Sequence, residues 1–306
     1  MGFYAPAQIV GDARKHGVEV RPVDVNKSQW DNTLEDEAGR YKAVRLGLRQ
    51  VKGVREEDMR LLATRRAGGY RDIHALHQAG ISQAALERLA NADAFRSLGH
   101  DRRRALWEVT ALADSPIILF GGEPNEAIVE EEPVLPVMSL PQHVVQDYGT
   151  TALSLKAHPV SFVREKLTQL RIACAADLKE ARDAAPIKVA GLVLVRQRPG
   201  TAGGVCFMTI EDETGVSNLV IFKTLFSKFR REILHSRLIM VDGKVQREGD
   251  VIHVIVKTCH DLTHLMRGMT EDETENLPLL TLAHADERSP SGRDSRDFIP
   301  SARNFK

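Results

Sequence analysis

Between residues 186 and 257 apolar positions come in short runs separated by turn signals. Residues 187–195 are almost continuously apolar and end in Arg196-Gln197-Arg198. Pro199-Gly200-Thr201-Ala202-Gly203-Gly204 supplies the dihedrals of a tight reversal. Residues 205–211 are rich in β-branched and aromatic side chains, and Asp212-Glu213-Thr214-Gly215 turns them into a third strand, 216–222. The period then changes: Leu225, Phe226, Phe229 and Ile233 recur at helical spacing across 223–234. Two more strands follow, 237–245 and 251–257, divided by Glu248-Gly249-Asp250. Three strands, a helix and two strands is the chain order of a five-stranded OB-fold β-barrel, assigned to 186–265, whose open face often takes oligonucleotides.

Upstream, the pattern is helical. Residues 7–16 form a short helix stopped by Gly17, and 18–25 alternate as a strand. Residues 1–38 are too few to bury a core and resemble the tail of a truncated domain. In 39–115, Val44, Leu46 and Leu48 lead to Val51-Lys52-Gly53-Val54, a hydrophobic-Gly-hydrophobic turn. Glu56-Glu57-Asp58 then opens a helix whose inner face is Met59, Leu62 and Ala63. That is a helix-hairpin-helix pattern. Without a Cβ at Gly53, backbone amides can approach a phosphate closely, and Lys52 and Arg55 add charge. An ordinary helical hairpin with glycine in its loop fits the same residues. Further helices are expected over 83–90, capped by Ser82, and over 102–113, capped by Asp101. The cluster Arg102-Arg103-Arg104 at that last start is read as a solvated face in preference to the alternative, a contact with DNA backbone.

Residues 116–185 are assigned as a linker and helical connector, the prolines and acids of 123–141 opposing regular structure. Residues 266–306 turn polar and are expected to be mostly disordered. The fold class expected is therefore multidomain α+β: a helix-hairpin-helix domain, a linker and an OB-fold barrel.

Charge sharpens the functional reading. With 42 basic and 42 acidic residues, any polyanion site must come from local clustering. Three widely spaced cysteines imply no disulfide framework and fit a reducing, cytoplasmic compartment. No signal peptide or bilayer-length apolar run is present, so no membrane partner is expected. No catalytic constellation stands out: Glu211-Asp212-Glu213 reads as a solvated turn, and Cys259, His260 and His264 are a weak zinc pattern. On the barrel, Arg196, Arg198 and Lys244 are candidates to line a groove, together with Lys188, Arg247 and Lys257. Phe207 is a candidate stacking ring, with the barrel interior an equal alternative, and Phe222 is assigned to the interior. The DNA-contacting set is thus Lys52, Gly53, Val54, Arg55, Arg196, Arg198, Phe207 and Lys244, with no catalytic or metal-binding residue.

Met1-Gly2-Phe3-Tyr4, His16-Gly17-Val18-Glu19-Val20 and Leu46-Gly47-Leu48-Arg49-Gln50-Val51-Lys52-Gly53 carry a family resemblance. Ala92-Asp93-Ala94-Phe95-Arg96-Ser97-Leu98-Gly99, Asp101-Arg102-Arg103, Thr209-Ile210-Glu211-Asp212-Glu213-Thr214-Gly215 and Arg303-Asn304-Phe305-Lys306 extend it along nearly the whole chain. The sequence resembles the C-terminal region of bacterial C-family DNA polymerases, the DNA polymerase III alpha-subunit group, and more closely its error-prone branch. The resemblance implies a hairpin on duplex DNA, a barrel near single-stranded template, and a role in damage-induced translesion synthesis. Accessory mutagenesis proteins and the sliding clamp would be partners. The family's palm, with its metal-binding aspartates, has no counterpart here. No cofactor is therefore expected in this chain, Mg2+ belonging to the palm, and a DNA-binding fragment inactive alone is expected. A free-standing adaptor that binds protein partners is the competing reading.

Overall fold

The computed structural model describes residues 5–112, 135–249 and 251–269. Most of the prolines-and-acids stretch 123–141 and residues 270–306 of the expected tail lie outside these, whereas 266–269, expected to be disordered, end a 3-10 turn in which Met266 and Met269 are buried. The chain divides into two compact units, Met1–Lys156 and Ala157–Lys306.

The first unit contains α1 (Pro6–Lys15), β1 (Val20–Arg21), β2 (Thr33–Ala38), β3 (Tyr41–Arg45), α2 (Glu56–Arg65), α3 (Ile73–Gln78), α4 (Gln83–Asn91), α5 (Arg102–Ala111) and α6 (Leu140–Thr151). The sheet order is β1-β3-β2, with β1 parallel and β2 antiparallel to β3. The expected boundary between 38 and 39 falls in the β2–β3 turn. Val23 and Val25 share one core with Leu48, Met59, Leu62, Leu86, Leu89 and Phe95. A segment too short to bury its own apolar surface has joined the helices, where truncating a buried leucine such as Leu62 costs about 2–5 kcal/mol.

Strand β2 was missed from sequence because Thr-Leu-Glu-Asp-Glu-Ala shows no apolar alternation. An ion network holds it instead. Glu35 accepts two hydrogen bonds from buried Arg45, at 2.8 and 3.0 Å, and one from Arg21 at 2.7 Å. Hydrogen bonding to Arg45, more than its opposing desolvation, pulls the Glu35 pKa down to about 2. Pro141, expected to prevent regular structure, lies in the first turn of α6, where a missing N–H costs nothing. Ser139 and Gln142 complete a capping box there.

The second unit begins with α7 (Arg164–Gln169) and continues into β4 (Pro186–Gln197), β5 (Cys206–Glu211), β6 (Val216–Ile221), α8 (Lys223–Lys228), α9 (Arg230–His235), β7 (Leu238–Glu248) and β8 (Val251–Asp261). The strands close into a barrel of order β4-β5-β6-β8-β7, with β6 and β8 the parallel pair. This is the five-strand barrel expected from the sequence. The single helix read over 223–234 is two, divided at Phe229 (φ −109°, ψ 31°). Phe226 and Ile233, one from each, seal the barrel core with Val193, Met208, Leu219, Val241 and Val254. Arg164 from α7 pairs with Asp212 (3.1 Å) and Glu213, and the Ala175 amide donates to Asp212 at 2.8 Å, fixing the connector to the β5–β6 turn.

Candidate nucleic-acid interface

The hairpin is built around Gly53, which sits at φ +79°, a conformation that L side chains rarely adopt. It joins the single 3-10 turn Leu48–Gln50 to α2. Val54 is half-buried against the core, whereas Lys52, Gly53 and Arg55 are exposed. A Cβ on Gly53 would lie 3.0 Å from Arg88 Nε, so an arginine from α4 runs directly beneath the turn. Arg55 is the N-cap of α2, yet no side chain caps that helix. By contrast α3, α4, α5 and α6 are capped by Asp72, Ser82, Asp101 and Ser139. The first-turn amides of α2 therefore lack a side-chain acceptor, and amides of that kind can donate to an anionic oxygen. Glu56, Glu57 and Asp58 in the same turn oppose an anion, and Arg60 offsets Glu56 at 2.6 Å.

Lys52 is placed differently from the expectation that it points at a phosphate. Its amide donates to Thr150 O at 2.8 Å and its ammonium to Tyr148 O at 3.1 Å. Gln50 adds a bond to Thr151 O at 2.6 Å. Desolvation beside this helix end lowers the Lys52 pKa below the usual lysine value. Carbonyls in the last turn of α6 thus bolt that helix to the hairpin.

A second hairpin, not recognised from sequence, joins α3 to α4 through Gly80 at φ +88°. Leu86 and Leu89 follow Gly80 by six and nine residues, as Met59 and Leu62 follow Gly53. That repeated spacing was the available signal. The arginine relation repeats too: a Cβ on Gly80 would lie 3.2 Å from Arg65 Nη1, which comes from α2.

Arg102 corrects the reading of its cluster as a solvated face. It is 1% exposed, donates to Asp147 at 2.6 Å, and lies 3.2 Å from His143 Nδ1. Lys156 completes the network on Asp147 and Asp93. Helix α6 covers this arginine, and the distant partner Asp147 was invisible to local charge patterning.

On the barrel, Arg196 is not in the groove. It is 7% exposed and donates to the carbonyls of Ile233 (2.6 Å) and Ser236 at the end of α9. Past a register shift between Val193 and Val195, Arg196 stands opposite Met208, a residue of the barrel core. Arg198 is half-buried with its guanidinium 4.4 Å from the Phe226 ring centroid. Phe207 is 39% exposed and Lys244 is exposed. The strand register sets them in one outward row, Phe207 opposite Val220, Val220 opposite Ile255, and Ile255 opposite Lys244. Phe222, assigned to the interior, is 48% exposed: it sits one residue past β6 with extended backbone, on the outward side with Val220, while Phe226 lies in the core. Of the other barrel cations, Lys188 pairs with Asp242 at 3.6 Å and Arg247 donates to the carbonyls of Leu178, Lys179 and Ala181.

Among the described residues no group of three or more His, Cys, Asp or Glu is placed to hold a metal. Asp212 is engaged by Thr214, Gly215, Ala175 and Arg164. Cys174, Cys206 and Cys259 are free thiols, and burial pushes Cys259 up to about 12. No described helix is long and apolar enough to cross a membrane.

Comparison with known proteins agrees with this architecture. Residues 17–105 match the helix-hairpin-helix motif family, and residues 187–262 match the OB-fold nucleic acid binding domain family. Error-prone DNA polymerase 1 of Rhizobium meliloti (strain 1021) is 47% identical over 87% of this chain and 26% of its own length. The error-prone DNA polymerase of Allorhizobium ampelinum is 45% identical over 98% of this chain and 28% of its own. Among solved structures, asparaginyl-tRNA synthetase from Pyrococcus horikoshii matches 30% of this chain and 23% of its own at 21% identity and a TM-score of 0.26. The chain spans about a quarter of the length of the curated polymerases it matches. It is homologous to bacterial error-prone DNA polymerases, and the shared region consists of a helix-hairpin-helix unit followed by an OB-fold barrel.

Proposed function

We propose that this chain is the DNA-gripping C-terminal region of an error-prone polymerase that acts in damage-induced translesion synthesis. The hairpin holds duplex through its phosphate backbone, and the barrel holds single-stranded template. Metal-dependent nucleotide transfer, with Mg2+, belongs to the palm of the longer relatives. Accessory mutagenesis proteins and the sliding clamp are the protein partners on this reading, and the cytoplasm its location.

The observation that carries it is the Gly53 turn: positive φ, an uncapped helix start, and Arg55 and Arg88 beside it. Contacts of that kind are made to backbone, so they position DNA without reading its sequence. Fluorescence anisotropy with duplex, primer-template and single-stranded oligonucleotides across a salt series tests the reading. Expected are sequence-tolerant binding of all three and a linear fall of log K with log salt. Absence of binding to every oligonucleotide at low salt would favour an adaptor that binds proteins instead.

A further inference from the structure

Phe207 is the candidate stacking ring on the outer face of the barrel, and a second exposed ring, Phe222, lies near it. Phe222 follows the last residue of β6 with extended backbone (φ −68°, ψ 153°), so strand alternation continues one residue past the strand. That sets Phe222 on the outward side with Val220, which pairs with Phe207. Phe207 and Phe222 are therefore diagonal neighbours on adjacent antiparallel strands, about 7–8 Å apart, within reach of one aromatic ligand after another. Both are exposed, at 39% and 48%, although the barrel core has room for Phe226 next in the chain.

Charge is gathered at the same end. A Cβ on Gly204 would lie 3.1 Å from Lys223 Cδ and 3.4 Å from Arg198 Nη2, so the 198–205 loop closes directly onto these two cations. Gly204 is at φ +85°, and only its bare Cα lets the Lys223 stem pass so near. Lys223 is exposed, and Arg198 is held in place by the Phe226 ring. Glu211 stands at the opposite end of β5, four residues beyond Phe207, and Asp242, two residues before Lys244 on β7, is engaged by Lys188 and Thr258. Two exposed rings with the Lys223 ammonium beside them suit a single strand, whose bases lie on the rings and whose phosphate meets the cation.

We infer that Phe222 and Lys223 extend the barrel's single-strand site past Phe207. Phe207 and Phe222 stack successive bases of single-stranded DNA, and Lys223, beside Arg198 at Gly204, takes the phosphate next to them. The inference rests on the proposed single-strand role of the barrel, and its test separates the two.

The full chain and its Phe207→Ala, Phe222→Ala, Phe222→Leu and Lys223→Ala variants are titrated into a labelled deoxythymidine oligonucleotide and into duplex. Melting temperatures are recorded alongside. Base–aromatic stacking is worth ~1–3 kcal/mol per base, so Phe222→Ala and Phe222→Leu should each weaken single-strand binding by about tenfold, with duplex binding and melting temperature unchanged. Lys223→Ala should lower the salt slope by ~0.7, one single-strand phosphate contact. Photocrosslinking with a halogenated deoxyuridine oligonucleotide should label a peptide containing Phe222. If Phe222→Leu binds as tightly as the unaltered chain while Phe207→Ala is impaired, the second platform does not exist. Equal losses on single strand and duplex from Phe222→Leu would overturn it too, as would a fall in melting temperature that accounts for the loss. If the unaltered chain binds duplex and no single strand, the underlying reading of the barrel fails, and a protein-docking role for the two rings replaces it.

Discussion

Arg88 of α4 lies under Gly53 so closely that a Cβ there would stand 3.0 Å from its Nε. The hairpin turn thus lies against a side chain of the second helical pair. Any side chain at Gly53 meets two separate penalties: a left-handed backbone that L residues resist by about 1–2 kcal/mol, and displacement of Arg88. Gly53→Val should lower duplex affinity by at least about tenfold while leaving single-strand binding at the barrel unchanged. Combining Gly53→Ala with Arg88→Ala relieves the crowding but keeps the backbone strain and also removes a cation beside the turn, so duplex affinity should stay low. Unchanged duplex affinity in Gly53→Val, in a chain that melts normally, would make the turn only a loop.

The buried pair Arg102–Asp147 joins α5 to α6. Removing one partner of a buried ion pair leaves the other charge uncompensated, at a cost of about 3–5 kcal/mol. Asp147→Ala should lose roughly that much in denaturant unfolding of the first unit's transition, because Lys156 and Ser154 also bond to Asp147. A change under about 1 kcal/mol would show that α6 contributes little to the fold of this unit.

Arg196 and Arg198 stand two residues apart and should behave oppositely. Arg196→Ala deprives the α9 carbonyls of Ile233 and Ser236 of their buried donor, a loss of about 1–3 kcal/mol. Melting temperature should fall, with single-strand affinity per folded molecule intact. Arg198→Ala should spare most of the stability and weaken single-strand binding. Reversal of this ranking, by melting curves and anisotropy on both variants, would return Arg196 to the groove.

Glu35 makes the first unit sensitive to acid. Its folded pKa is held at about 2, below the ordinary 4.5, chiefly by hydrogen bonding to Arg45. A carboxylate with a depressed folded pKa stabilises fully above its unfolded pKa. That contribution is lost as pH falls from about 4.5 toward 2. Glu35→Gln should therefore cost about 1–2 kcal/mol near neutral pH, after allowance for solvent screening, and flatten the pH dependence in this window. Unfolding curves of both chains between neutral pH and pH about 2 check it; parallel curves would rule Glu35 out as the acid-sensitive group.

The amino-acid sequence by itself determined the elements whose signals are local. Strand alternation with turn residues defined the five barrel strands, and their order alone selected the barrel, since few topologies close that order without an exposed edge. Gly53, between apolar neighbours and ahead of an acidic helix start, marked the first hairpin. Tertiary structure decided what depends on distant partners. Residues 18–25 joined the helical core because they cannot bury themselves alone. β2 formed where Arg21 and Arg45 converge on Glu35 from other strands. Arg102 and Lys52 looked like free cations in sequence, yet α6, more than 35 residues downstream of Arg102, supplies their acceptors. On the barrel Arg196 turns inward to the carbonyls of Ile233 and Ser236, and Phe222, one residue past β6, is left exposed. Periodicity assigns a residue to a face, but only packing decides which of two nearby rings fills the interior and which is left for a ligand.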